Sequence, residues 1–162
     1  MLYRLTVSYR GEAYAGWQRQ RNATGVQQVL EEAIENLVSH PVSVLGASRT
    51  DAGVHALGQV VHVELATVWA ASVLVGGTNR HLPGDVRVMA AAEAPSSFHA
   101  RRDAVAKEYH YRLSRAAVLS PLDSPFVVAA PSGLDLALLR EAAAQVEGSR
   151  DFTAFAKAGG SH

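Results

Sequence analysis

Cysteine is absent from the 162 residues, which excludes a disulfide framework and any thiolate metal site and suits a reducing compartment. Lysine is nearly absent as well. Lys107 and Lys157 are the only two, so positive charge rests on arginine, the side chain suited to bidentate phosphate contact and base stacking. A GC-rich coding bias accounts for that preference equally well. Neither sign of charge is in excess: 15 basic and 15 acidic residues cancel. This balance argues against a strongly basic, non-specific nucleic-acid binder, whose affinity rests on neutralising phosphates, but leaves room for a local patch. Long hydrophobic runs are missing too. The longest uncharged apolar stretch, Ala66 to Val75, is about half of the roughly 20 residues that a membrane span needs. Met1-Leu2-Tyr3-Arg4 opens an alternating pattern and not an apolar signal core. The expectation is a soluble, cytoplasmic protein with no membrane partner. Its 48% apolar content suffices for one ordinary core or two small ones.

What is present begins with strict alternation. Met1, Tyr3, Leu5, Val7 and Tyr9 share one face and Arg4, Thr6, Ser8 and Arg10 the other, the period of a half-buried strand. Thr24 and Gln27 have the spacing of a capping box, and Val26, Val29, Leu30, Ala33, Ile34, Leu37 and Val38 follow at helical spacing. Val42 and Val44 suggest a second strand ending at Gly46, and Val61, Val63 and Leu65 a third. An Ala-rich helix is expected from Trp69 to Asn79, and a fourth strand at Val86 and Val88. The order βαββαβ predicts an α+β fold, a ferredoxin-like N-terminal domain (1–94) whose antiparallel sheet carries two helices on one face. A linker at 95–104 leads to residues 105–162. There the alternation of Val105, Lys107, Tyr109, Tyr111 and Leu113 predicts a strand, and Phe126 to Ala130 another. Leu138, Leu139, Ala142, Ala143 and Val146 predict a helix closed by Gly148 at C′. One helix and so little sheet make only the first part of a second, similar domain, with the helix's apolar stripe uncovered, so a truncated chain is expected.

The chemistry concentrates in Arg49-Thr50-Asp51-Ala52-Gly53-Val54-His55-Ala56, between the second and third strands. Asp51 has the shortest acidic side chain, which a loop can hold with few rotatable bonds. Arg49 is placed to keep it ionised by charge and hydrogen bonding, and an ionised carboxylate serves as nucleophile or base. The plain alternative is a polar turn whose Asp accepts backbone N–H groups. His55, His62, His81 and His99 lack any thiolate partner or HExxH spacing, so loop packing, and no metal, is the expectation for them. Trp17, Gln18, Arg19 and Gln20 group an aromatic ring with hydrogen-bonding side chains suited to a ligand, although Trp17 is equally suited to covering the core. Arg101 and Arg102 with His99 are candidates for phosphate contact.

Ala47 to Ala56 followed by Gly58-Gln59-Val60-Val61-His62 resembles the catalytic segment of the tRNA pseudouridine synthase A (TruA) family. So, in order, do Gly16-Trp17-Gln18-Arg19-Gln20, Gly25-Val26-Gln27 with Leu30-Glu31, Asn79 to Val86, Phe98-His99-Ala100-Arg101, Lys107-Glu108-Tyr109-His110-Tyr111 and Asp151 to Phe155. Ser48 departs from the pattern, standing where the family most often has glycine, and a left-handed backbone there would carry the cost of a Cβ. The resemblance implies a uridine isomerase acting on the anticodon stem-loop of tRNA, without cofactor or metal, as a homodimer of two ferredoxin-like domains facing a cleft. It implies Asp51 as the essential carboxylate, Arg49 filling space vacated by the extruded nucleotide, and Tyr109 packing against the flipped base. Tyr111, on the same strand face, His55, Trp17, Gln18, Arg19 and Arg101 are candidate RNA contacts. Two other readings compete. One is an inactive fragment that only binds RNA, although no run of the Lys/Arg-Gly-Phe-Gly-Phe type occurs. The other is a hydrolase using Asp51 and His55, for which nucleophile elbow, phosphate loop and metal ligands are all wanting.

Overall fold

The computed structural model describes residues 1–155. They fall into two compact units, divided after His110.

In the first unit the chain runs β1 (Leu2–Tyr9), α1 (Val26–Val38), β2 (Val44–Gly46), β3 (Ala56–Glu64), α2 (Ala71–His81) and β4 (Val86–Glu93). The expected βαββαβ order is present. The sheet order is β2-β3-β1-β4 with every pair antiparallel, so β1 and β3 are central and each βαβ unit is split by a strand of the other. Tyr3, Leu5, Val7 and Tyr9 of β1 are all buried, as their alternation requires. With Val44, Val61, Val63, Val86 and Val88 they form the sheet side of the core. Val26, Leu30, Ala33 and Ile34 of α1 and Leu74 of α2 form the helix side. Burying one such side chain stabilises by about 1.5–3 kcal/mol, so this stripe outweighs the modest helix propensity of its β-branched members. The other face of the sheet, with Arg4, Thr6, Ser8, Val60 and His62, is exposed or half-buried.

Several boundaries differ from the sequence reading. No capping box forms at α1: Gly25 is the N-cap, with no side-chain bond, because Gln27 is drawn elsewhere. Its Nε2 donates to Val44 O (2.9 Å) and Glu31 Oε1 (3.1 Å), while its Oε1 accepts from Gln18 Nε2 (2.7 Å) and Arg19 N (3.0 Å). Glu31 is itself buried, accepting also from Val44 N and from Arg19 Nη1, both at 3.0 Å. This network ties the 17–19 segment, α1 and β2 together. Glu31→Ala leaves the Val44 N–H without an acceptor and should cost about 2 kcal/mol. A urea midpoint unchanged from the parent protein would contradict that.

The predicted strand over 105–113 does not form, and only Leu113–Ser114 (β5) is extended and paired. Its partner is Val128–Ala129 (β6), within the second segment expected to be a strand. Alternation describes faces, but a strand also needs a neighbour to take its N–H and C=O groups, and residues 104–112 are exposed and irregular. The residues expected as a linker do not run free either. Ala100 is buried and its N–H donates to Nδ1 of His62 on β3 (3.1 Å), so this stretch folds back on the first unit. In the second unit α3 (Leu136–Gln145) follows, its N-terminus capped by Asp135, which accepts from Ala137 N at 2.7 Å. Its residues Leu136, Leu138 and Leu139 are exposed among the described residues, as expected of an uncovered stripe. The C-cap is Val146, so Gly148 (φ +88°) lies at C″ and not at C′. No helix of the described residues is long and apolar enough to cross a membrane.

Candidate active site

Asp51 lies between β2 and β3 as the first residue of a turn closed by the Val54 N–H on the Asp51 carbonyl (3.2 Å). Gly53 is the third residue, at φ +80°, the position where such a turn favours glycine. Residues 51–54 are all exposed, so the carboxylate faces solvent and not a dry interior. The turn is nevertheless held on both sides. Before Asp51, the Thr50 carbonyl accepts from Trp17 N (3.0 Å), and the Thr50 hydroxyl shares a hydrogen bond with Tyr9 Oη (2.9 Å). After it, Gly53 N donates to Tyr14 O (3.3 Å), and His55 Nδ1 accepts from Gly11 N (3.3 Å). Burial pushes the Tyr9 phenol above its ordinary value against a smaller opposing effect of the Thr50 bond, so Tyr9 stays a neutral hydroxyl at physiological pH.

Segment 10–17 therefore floors the loop, and it approaches closely. A Cβ on Gly11 would lie 2.1 Å from the Val54 carbonyl oxygen, and one on Gly16 2.5 Å from that of Thr50. Ser48, the departure from the family pattern, is not in the left-handed region, where Ser39 is the one non-glycine residue among those described. The Gln59 carboxamide brackets it, Nε2 donating to Ser48 O (2.6 Å) and Oε1 accepting from the Ser48 hydroxyl (3.3 Å). Serine fits here because its hydroxyl meets a buried amide.

The candidate residues fare differently. Arg49 is exposed, and neither an ion pair nor a hydrogen bond joins it to Asp51 among the described residues, contrary to expectation. An exposed pair is worth about 0–1 kcal/mol, too little to hold a long side chain against its rotamer entropy. Trp17 is corrected from RNA platform to core: it is 2% exposed, 6.0 Å from the Tyr9 ring and against Gly46. Gln18 is exposed while bonded to Gln27, and Arg19 keeps a half-exposed guanidinium on buried Glu31. His55 packs under the loop as described, in keeping with a packing role. Arg101 is exposed beside the His62 contact, and Tyr109 and Tyr111 are exposed, not on a strand face. Tyr9, read as a strand residue, and Gln27, read as half of a capping box, have parts in bracing the site that pattern does not reveal, as do Tyr14, Glu31, Gln59 and Asp85. A polar residue at a core position, such as Gln59 on β3 or Glu31 on the buried face of α1, is the signal that could have found two of them. Among the described residues no three of His, Asp and Glu converge as a metal site would need.

A second cluster lies on the open face of the sheet, where His62 meets Phe98 (6.1 Å) and His99 (5.2 Å). Arg4 is its cross-strand neighbour on β1, and Arg102 and Asp103 both bond to His99. Burial, then the charges of His99 and Arg102, lower the His62 pKa below its ordinary 6.5. A depressed histidine is protonated more readily in the unfolded chain. Its penalty is therefore absent above about pH 6.5 and grows as the pH falls through that value toward the folded pKa. Melting temperature should drop between pH 7.5 and 5.5, and drop less in His62→Gln; equal drops would refute this assignment.

The four-stranded sheet and the Asp51 loop fall almost wholly within a segment that comparison with known proteins assigns to one family. The sequence model of the tRNA pseudouridine synthase family matches residues 5–103. The chain belongs to that family. Its relatives include the tRNA pseudouridine synthase A of Syntrophotalea carbinolica, 43% identical over 96% of this chain and 62% of that protein. That of Methylobacterium nodulans is 45% identical over 94% and 61%, and that of Sinorhizobium fredii 42% identical over 96% and 64%. The chain thus spans about six-tenths of the length of these curated relatives.

Proposed function

We propose that the intact protein isomerises uridine to pseudouridine in tRNA, detaching uracil from ribose at N1, turning it and rejoining it through C5. The observation that carries this reading is the Asp51 turn, a carboxylate open to solvent on a backbone anchored at Thr50 and at Gly53. With the backbone so held, only the short side chain has to turn for the carboxylate to act as nucleophile or base. Family membership and relatives bearing the name tRNA pseudouridine synthase A support the substrate class.

In this proposal Asp51 is the essential carboxylate. Arg49 occupies the space left by the extruded nucleotide, and Tyr109 packs against the flipped base. Gln18, Arg19, Arg101 and Tyr111 are RNA contacts, the arginines to phosphate; His55 is retained as a support of the loop. The target is the anticodon stem-loop, selected by shape more than by a base code. The active protein is a cytoplasmic homodimer, and no cofactor or metal takes part. Tritium release from tRNA labelled at uridine C5 is the test. Release that disappears when label is confined to other stems supports the reading; tight tRNA binding without any release would replace it with the binding-module alternative.

A further inference from the structure

Asp85 stands in the turn just before β4, remote in sequence from the loop that carries Asp51, yet it grips the segment beneath that loop twice. Its backbone carbonyl accepts from Arg10 N (2.8 Å), and its carboxylate Oδ1 accepts from the Tyr14 hydroxyl (2.8 Å). Between those points the chain turns, closed by Tyr14 N on Gly11 O at 2.9 Å. Asp85 thus clamps both ends of one turn. That same turn supplies two of the supports described above: the Tyr14 carbonyl receives Gly53 N, and Gly11 N reaches His55. Tyr14 as a whole is 8% exposed, and its hydroxyl loses the oxygen it donates to if the carboxylate is removed. Burial and the bonded carboxylate both push the phenol's pKa up, which keeps the proton that makes the bond on Tyr14.

We propose that Asp85 is a positioning residue for the Asp51 loop, acting through Tyr14. This rests on the function proposed above. Asp85 touches no reacting atom; it fixes the height of the turn that fixes Gly53, two residues from the carboxylate. Displacing a reacting group by about 1 Å costs of the order of a hundredfold in rate. Loss of the clamp should therefore lower kcat and leave KM, set by RNA contacts elsewhere, nearly unchanged.

The experiment uses the intact protein with Asp85→Ala, Asp85→Asn, Tyr14→Phe and the Asp85→Ala/Tyr14→Phe pair. Tritium release gives kcat and KM, and hydrogen exchange gives protection of the Gly53 amide. Asp85→Ala and Tyr14→Phe should each lower kcat by about tenfold to a hundredfold with KM within about twofold, and the pair should do no worse than either alone. Asp85→Asn should restore most of the rate, since a carboxamide oxygen still accepts from the phenol. Gly53 should exchange faster in Asp85→Ala and Tyr14→Phe than in Asp85→Asn. If Asp85→Ala does not fold, Tyr14→Phe decides alone: wild-type kcat with unchanged Gly53 protection overturns the proposal. An inactive wild-type protein would sink the functional reading instead, and Gly53 exchange would still judge the clamp.

Discussion

Gly11→Ala and Gly16→Ala should each destabilise the protein by about 3 kcal/mol, whereas Gly53→Ala should cost about 1 kcal/mol. The ranking follows from what a new methyl group would meet. At Gly11 it would sit 2.1 Å from the Val54 carbonyl oxygen, and at Gly16 2.5 Å from that of Thr50. Both obstacles are backbone, so no side chain can swing aside and the floor must part from the loop. Gly16 adds a left-handed conformation, φ +94°. Gly53 is also left-handed, φ +80°, but open space surrounds it, so only the conformational term remains. Urea unfolding reads the three as midpoint shifts at constant slope. Equal, small shifts at all three would mean that the two segments are not in contact. In the intact protein the two severe variants should also lose activity beyond their loss of folded population, since they move the Thr50 and Val54 carbonyls that flank the carboxylate.

Much of the first unit could be read from pattern because its elements carry their own period. Tyr3, Leu5, Val7 and Tyr9 announce a strand, and Val26, Leu30, Ala33 and Ile34 a helix, whatever lies beside them. Where the neighbour decides, pattern was insufficient. The start of β3 at Ala56 lacks apolar alternation, since Leu57 and Gly58 are exposed, and exists because Tyr9 and Val7 lie opposite. Residues 105–112 show the converse, alternation without a partner strand. The site divides in the same way. Asp51 was visible as a local motif, but its supports join residues far apart in sequence. Tyr9 and Thr50 are 41 positions apart, Tyr14 and Asp85 71. Nothing in the spacing of either pair reveals the bond. Trp17 was ambiguous for another reason, since the same indole suits a base or a core. The nearness of Gly46 and Tyr9 settled it.

The largest effect belongs to the carboxylate itself. Asp51→Asn keeps size and turn-forming capacity but removes the negative charge, so a nucleophile or base is lost while the loop remains. The rate should fall by at least about a thousandfold. The exposed Asp51 side chain has no hydrogen-bond or ion-pair partner among the described residues, so neither folding nor RNA affinity should change by more than about 0.5 kcal/mol. Asp51→Glu keeps the charge and lengthens the side chain by a methylene. It should lose about a hundredfold, the penalty for a misplaced reacting group. That intermediate value separates a need for charge from a need for position.

The most direct measurement is single-turnover tritium release from C5-labelled tRNA, with the intact protein in excess over RNA and Asp51→Asn run beside the parent. Under those conditions binding is saturated and only the chemical step is read. The parent should release label from its target uridines within the assay, and Asp51→Asn should release none while retaining the bound tRNA. Matching release by the two proteins would contradict the account, because the braced, solvent-facing carboxylate would then have no part in the reaction.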